Sequence, residues 1–203
     1  MRQRKVKNRS LILQKCSSYI WDLKSPLPGG RPVYLEIGSG KGQFLTQKAL
    51  MDPAGFYLAC EGGVNINVRI LQKAEELGLE NLRVITEYIT KPLECFPKAS
   101  LAGIYINFCD PWPKDRHAHR RLTYRGLLLE YREIARGGFL EFKTDNDALF
   151  EWSLSEIEAA GIPVEFMTRD LHKSEYTGRN IPTEYETRFS DAGKSINFAR
   201  LAL

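Results

Sequence analysis

Short apolar runs alternate along the chain with stretches whose apolar residues recur at helical spacing. Val33–Ile37, Phe56–Cys60, Leu82–Ile85 and Leu101–Phe108 are nearly continuous apolar segments, which predicts strands buried on both faces. Another strand is expected at Phe139–Lys143, and Val164–Thr168 and Asn197–Leu203 suit two final strands. Helices are predicted over Gln43–Met51, Val64–Leu77, Leu122–Ala135 and Asn146–Ala160. In the second of these Val64, Val68, Leu71 and Leu77 share helical spacing, and Gly78 suits the C-terminal cap. Gly137-Gly138 and Gly161 stop the later two. Strand–helix alternation of this kind predicts an α/β fold, a mostly parallel sheet with helices on both faces. Ligands of such sheets bind outside the carboxyl ends of the strands, so the residues that follow strands are the candidates.

Composition narrows the class. Of 203 residues, 43% are hydrophobic and 27% charged, which excludes a disordered chain, a collagen-like fibre and a coiled coil. Lys plus Arg is 29 against 25 for Asp plus Glu, so the position of the positive charge matters more than its sum. Arg2, Arg4, Lys5, Lys7 and Arg9 form a basic N-terminal arm with no acid before Ser10. The breaker cluster Pro26–Pro32 ends this lead-in, giving an expected arm over 1–30 and one domain over 31–203. No apolar run is long enough for a membrane span, and the N-terminal charges lack a following apolar segment; a cytoplasmic protein is expected. Cys16, Cys60, Cys95 and Cys109 form no C-x-x-C pair, which suits free thiols, and no Cys/His spacing suggests a metal.

Leu35-Glu36-Ile37-Gly38-Ser39-Gly40-Lys41-Gly42 follows the first strand and opens a helix. The spacing G-x-G-x-G is neither the dinucleotide fingerprint nor a phosphate-cradling loop ending in G-K-[ST]. Glu36 places a carboxylate just before the loop, which suits a cationic ligand and disfavours a pyrophosphate. Glu61 ends the second strand, where an acid can accept hydrogen bonds from ribose hydroxyls. Two acids and a glycine loop suit S-adenosylmethionine, whose sulfonium and amino group are cationic.

The fourth strand runs into Asn107-Phe108-Cys109-Asp110-Pro111-Trp112-Pro113-Lys114. Its two prolines stiffen the loop, so it can hold Asp110 and Trp112 in place for a planar base. Arg116, His117, His119, Arg120, Arg121 and Arg125 follow, the densest basic run in the chain. Its place beside the stiff loop suits phosphate contacts. Phe142-Lys143-Thr144-Asp145-Asn146 ends the fifth strand, where Thr144, Asp145 or Asn146 can also simply cap the next helix. Pro182–Phe189 is polar and aromatic, and by itself reads as a surface loop.

Together L-E-I-G-S-G-K-G, F-C-D-P-W-P-K-D-R-H-A-H-R-R-L, F-K-T-D-N and T-E-Y-E-T-R-F resemble the bacterial tRNA guanine-N7 methyltransferase family, from about Leu35 to the C-terminus. The glycine loop occurs across many methyltransferases; the combination of the other motifs is far more specific. The resemblance implies a Rossmann-like, S-adenosylmethionine-dependent fold with a seven-stranded sheet, and methylation of a variable-loop guanosine of tRNA. By motif, Glu36, Gly38, Gly40 and Glu61 would bind the cofactor, and Asp110 would be both catalytic and a cofactor contact. Lys114, Asp145, Thr183, Glu184, Tyr185 and Glu186 match substrate-binding positions. The family commonly has an acid after strand three for the adenine part of the cofactor. Here Tyr88 stands there with Glu87 beside it, so either Tyr88 stacks or hydrogen-bonds instead, or Glu87 takes the contact. The basic arm and Lys114–Arg125 are expected to track tRNA phosphates, with the enzyme a monomer or a homodimer. The competing readings are a small-molecule methyltransferase, a catalytically weak or silent RNA-binding member of the fold and, more distantly, a dehydrogenase.

Overall fold

The apolar runs form the strands they predict. The computed structural model describes residues 6–190 and 193–203. Its strands are β1 (Val33–Ile37), β2 (Phe56–Cys60), β3 (Leu82–Ile85), β4 (Gly103–Asn107), β5 (Phe139–Thr144), β6 (Val164–Thr168) and β7 (Asn197–Ala202). They make one seven-stranded sheet in the order β3-β2-β1-β4-β5-β7-β6. The helices are α1 (Arg9–Lys15), α2 (Gln43–Met51), α3 (Val64–Glu76), α4 (Pro92–Cys95), α5 (Arg125–Ile134), α6 (Asp147–Ala159) and α7 (Glu184–Ser190). The chain divides into two compact units, 1–90 and 91–203.

In the first unit β1 pairs with β2 and β2 with β3, all parallel. Every residue of β2 is buried, as expected of a strand covered on both faces. α3 turns Val68, Leu71 and Ala74 into the core. The lead-in is docked from Arg9 onward: α1 packs on α3, Cys16 is fully buried, and Lys15 pairs with Glu75 at 2.9 Å. Ile20 then bridges to Val84 of β3. A solvated tail is therefore not what residues 9–20 form; Arg2, Arg4 and Lys5 lie outside the described residues.

In the second unit β4 and β5 are parallel, and β7 runs antiparallel to both β5 and β6. β4 is buried throughout. The helix expected from Leu122 starts at Arg125, because residues 115–120 coil into a 3-10 turn and Arg121 and Tyr124 are extended. Buried Thr123 meets Ser153 of α6, hydroxyl to hydroxyl at 2.6 Å, a tie that a continuous helix would have to break. α4 has no counterpart in the expected elements: a single turn opened by Pro92 is too short to show apolar periodicity.

Candidate active site

The loop after β1 is built from backbone that side chains resist. Gly38 and Gly40 have φ of 80° and 53°, and open space lies where a Cβ would stand on either. The amides of Gly38 and Ser39 donate to the Cys60 carbonyl at 2.9 and 3.0 Å, fixing the loop to the end of β2. Glu36 is buried in β1 just before it. Glu61 ties two loops together: its carboxylate accepts the Gly40 amide at 3.3 Å and the Gly63 amide, at the start of α3, at 2.8 Å. The result is a carboxylate held at the carboxyl end of β2, beside a stretch of bare backbone.

Tyr88 belongs to the same end of the sheet. Its ring lies on Gly62, where an added Cβ would come within 2.2–2.3 Å of three ring carbons. Only glycine allows this approach, so Gly62 seats the ring even though Tyr88 is 74% exposed. Glu87 is exposed beside it, and its backbone carbonyl is the acceptor for the Cys60 thiol at 3.3 Å.

In the second unit β4 ends in a strained loop. Phe108 and Trp112 both lie in the left-handed region, with φ of 53° and 40°. For non-glycine residues such backbone costs on the order of 1–3 kcal/mol each and persists only where the surroundings enforce it. Between them Asp110 stands exposed. Burial and the Asp110 carboxylate push the Cys109 thiol up to about 12, so it stays protonated and is no nucleophile. Lys114, Arg116 and Arg120 are exposed on the turn that follows, and Arg120 lies over the Trp112 ring at 5.0 Å.

Arg121 departs from the expected row of phosphate contacts. It is 6% exposed. Its guanidinium donates to the carbonyls of Pro111 and Trp112 and lies 4.2 Å over Trp152. Nothing local in a run of arginines and histidines marks this one as buried.

The two polar loops come together. Asn146 caps α6, accepting the Leu149 amide at 2.8 Å, which leaves Asp145 for other work. Asp145 accepts from the Tyr185 hydroxyl and the Lys194 ammonium, each at 3.3 Å. Burial and this carboxylate raise the Tyr185 phenol, which stays a donor. The Tyr185 ring packs against Phe108 of the strained loop at 5.0 Å. The stretch read as a surface loop is α7, and its start is a capping box. The Glu186 amide donates to Thr183 Oγ1 at 2.9 Å, and the Thr183 amide reaches Glu186 Oε2 at 3.4 Å. Thr183 and Glu184 are half-buried at this start, and Tyr185 is exposed.

Glu186 itself faces inward. Its side chain is fully buried and pairs with buried Lys143 of β5 at 2.8 Å. Asn180 donates to its other oxygen at 2.5 Å, where His172 also stands at 3.1 Å. Lys143 spends its remaining two donors on Asn180 Oδ1 and the Ile181 carbonyl, both at 3.0 Å. Sequence reading missed Lys143, Asn180 and His172. The signal for the helix was present in T-E-Y-E, but its partner lies 43 residues back.

A family model described as "Putative methyltransferase" matches residues 30–199. The chain is 41% identical to a tRNA (guanine-N(7)-)-methyltransferase of Latilactobacillus sakei over 192 residues, 94% of this chain and 90% of that one. It is 45% identical to a protein of the same name from Exiguobacterium sibiricum, over 81% and 78% of the two chains. Among solved structures, a 16S rRNA methyltransferase, KamB, superposes with a TM-score of 0.64 at 13% identity, covering 99% of this chain and 95% of that one, a likeness of fold. No helix of the described residues is long and apolar enough to cross a membrane. With relatives 41–45% identical and matched over 78–90% of their own length, and a family model matched over residues 30–199, the chain belongs to the tRNA (guanine-N(7)-)-methyltransferase family.

Proposed function

We propose that the protein transfers a methyl group from S-adenosylmethionine to N7 of a guanosine in the variable loop of tRNA. The observation that carries this reading is Asp110, an exposed carboxylate fixed between two strained residues and followed at once by exposed Lys114, Arg116 and Arg120. The names of the relatives supply the substrate. A cytoplasmic enzyme acting as a monomer or a homodimer fits the reading.

The residues of the first unit fit the cofactor. The open space at Gly38 and Gly40 admits a ligand against bare backbone. Glu36 and Glu61 supply carboxylates for the cationic amino-acid part and the ribose, and Tyr88 supplies an aromatic face for the adenine in place of an acid. When bound, S-adenosylmethionine supplies an electrophilic methyl group. Guanine N7 carries an in-plane lone pair, so no proton must leave before it reacts. The work left to the chain is orientation and charge. The purine becomes cationic, and Asp110, already fixed, stabilises that charge without reorganising. Asp110 is thus an electrostatic and orienting group, and a general base is not needed. Thr183, Glu184, Tyr185, Asp145 and Lys114 are assigned to the tRNA side. Glu186, matched by motif to the same set, acts from inside by holding Thr183 and Tyr185 in place.

Removing the Tyr88 ring is expected to weaken cofactor binding about 3- to 10-fold, the worth of one aromatic contact. Tyr88→Phe should keep the affinity and Tyr88→Ala should lose it in a calorimetric titration. Equal affinity in Tyr88→Ala would return the adenine contact to Glu87. The substrate is tested by labelled methyl transfer to two transcripts of one tRNA, one with its variable-loop guanosine replaced by adenosine. Transfer to the first alone is expected. Equal transfer to both would contradict the variable-loop assignment, and cofactor binding with no transfer to either would favour a silent RNA binder.

A further inference from the structure

We infer that Arg121 is a positioning residue for the Asp110 loop, a strut under the reacting carboxylate, and not one of the phosphate contacts its neighbours provide. The inference rests on the functional reading above for what the loop does, but its geometry is independent of substrate.

The loop needs an external hold. Residues 110–113 read Asp-Pro-Trp-Pro, and two of these four have no N–H to donate. The carbonyls are handles that every residue of the loop keeps. Arg121 takes both carbonyls that follow Asp110: Nε donates to Pro111 O at 3.0 Å, and Nη2 donates to Trp112 O at 3.0 Å, with Nε a second donor to it at 3.3 Å. Trp112 is also the residue whose φ of 40° closes the strained stretch. A rigid planar fork of donors suits two adjacent carbonyls.

The fork is itself fixed. One face is covered by Trp152 of α6 at 4.2 Å. Its backbone is anchored on both sides, donating to Ala118 O at 3.0 Å and accepting the Tyr124 amide at 2.9 Å. Thr123, two residues on, is tied to Ser153 of the same helix α6. At 6% exposure Arg121 offers little surface to a phosphate, whereas Arg120 beside it is exposed and lies 5.0 Å over the Trp112 ring. One arginine holds the loop from within, and the one before it presents its charge to solvent.

The test uses Arg121→Lys, which keeps the charge and loses the fork, and Arg121→Gln, which loses both. Single-turnover methyl transfer at saturating cofactor and tRNA is expected to fall about 10- to 100-fold in both, the cost of a small misplacement of a reacting group. Their tRNA affinity, and its slope against salt, should match the wild type. A salt slope reduced by about one in Arg121→Gln, with the saturating rate retained, would make Arg121 a phosphate contact and overturn the inference. So would wild-type rates in both variants, or a rate loss matched by equal losses of cofactor and tRNA binding. A second readout needs no substrate. With 5-fluorotryptophan in the protein, the 19F resonance of Trp112, assigned with Trp112→Phe, should broaden or split in Arg121→Lys. An unchanged Trp112 resonance would overturn the strut. A wild-type protein that leaves tRNA unmethylated while this resonance responds would sink the functional reading and spare the strut.

Discussion

Replacing Glu186 by Ala lowers the stability of the protein by about 3–5 kcal/mol, the penalty for leaving the partner of a buried ion pair uncompensated. The partner is Lys143, whose buried ammonium loses the Glu186 carboxylate and keeps the neutral acceptors Asn180 Oδ1 and the Ile181 carbonyl. Asn180 and His172 lose an acceptor at the same time. In a chain of this length the melting temperature should fall by about 10 °C. The double variant Lys143→Met with Glu186→Leu should recover most of that loss, because removing both charges is far cheaper than removing one. It should recover less of the activity. Without the Glu186 carboxylate the capping box at Thr183 is broken, and Tyr185 is no longer set against Asp145 and Phe108. An unchanged melting temperature in Glu186→Ala would contradict the placement of this pair. Full activity in the double variant would contradict its positioning role.

Asp110→Ala slows single-turnover methyl transfer about 10²- to 10³-fold at saturating cofactor, the usual effect of removing one preorganised group aimed at developing charge. Asp110→Asn falls between that and wild type, since the amide can still orient the purine but carries no charge. tRNA binding should be kept in both, because phosphate contacts dominate affinity and Lys114, Arg116 and Arg120 are untouched. Wild-type rates in both variants, with binding intact, would remove Asp110 from the chemistry.

The strands and the loops that follow them were legible because each apolar run is bounded by glycine, proline or a switch to polar residues. β1 and β2 end where those signals place them, with Glu36 and Glu61 at their carboxyl ends, while β4 spans Gly103–Asn107, shorter at both ends than the Leu101–Phe108 expected, and still leads into Asp110. The helix over Glu184–Ser190 was not legible from periodicity, because Thr-Glu-Tyr-Glu shows no apolar stripe; its stability comes from a cap and from a lysine on another element. Burial of single charged residues was hidden for a related reason. Arg120 and Arg121 are adjacent and chemically identical, yet one is exposed and the other is enclosed by two carbonyls and Trp152. That difference is made by α6, 30 residues away in sequence where Thr123 meets Ser153. The sequence reading that gave both arginines to phosphate is corrected on this point. The docked segment from Arg9 to Ile20 was hidden in the same way, since the partners of Lys15 and Cys16 lie on α3.

The central claim, methylation of guanine N7 in the tRNA variable loop, is tested most directly by mapping the product. An unmodified tRNA transcript is incubated with the protein and labelled S-adenosylmethionine, then treated with borohydride and aniline, which cleave the strand at N7-methylguanosine. Incorporated label with a single strand break at a variable-loop guanosine is the predicted result. Label without such a break would contradict the account.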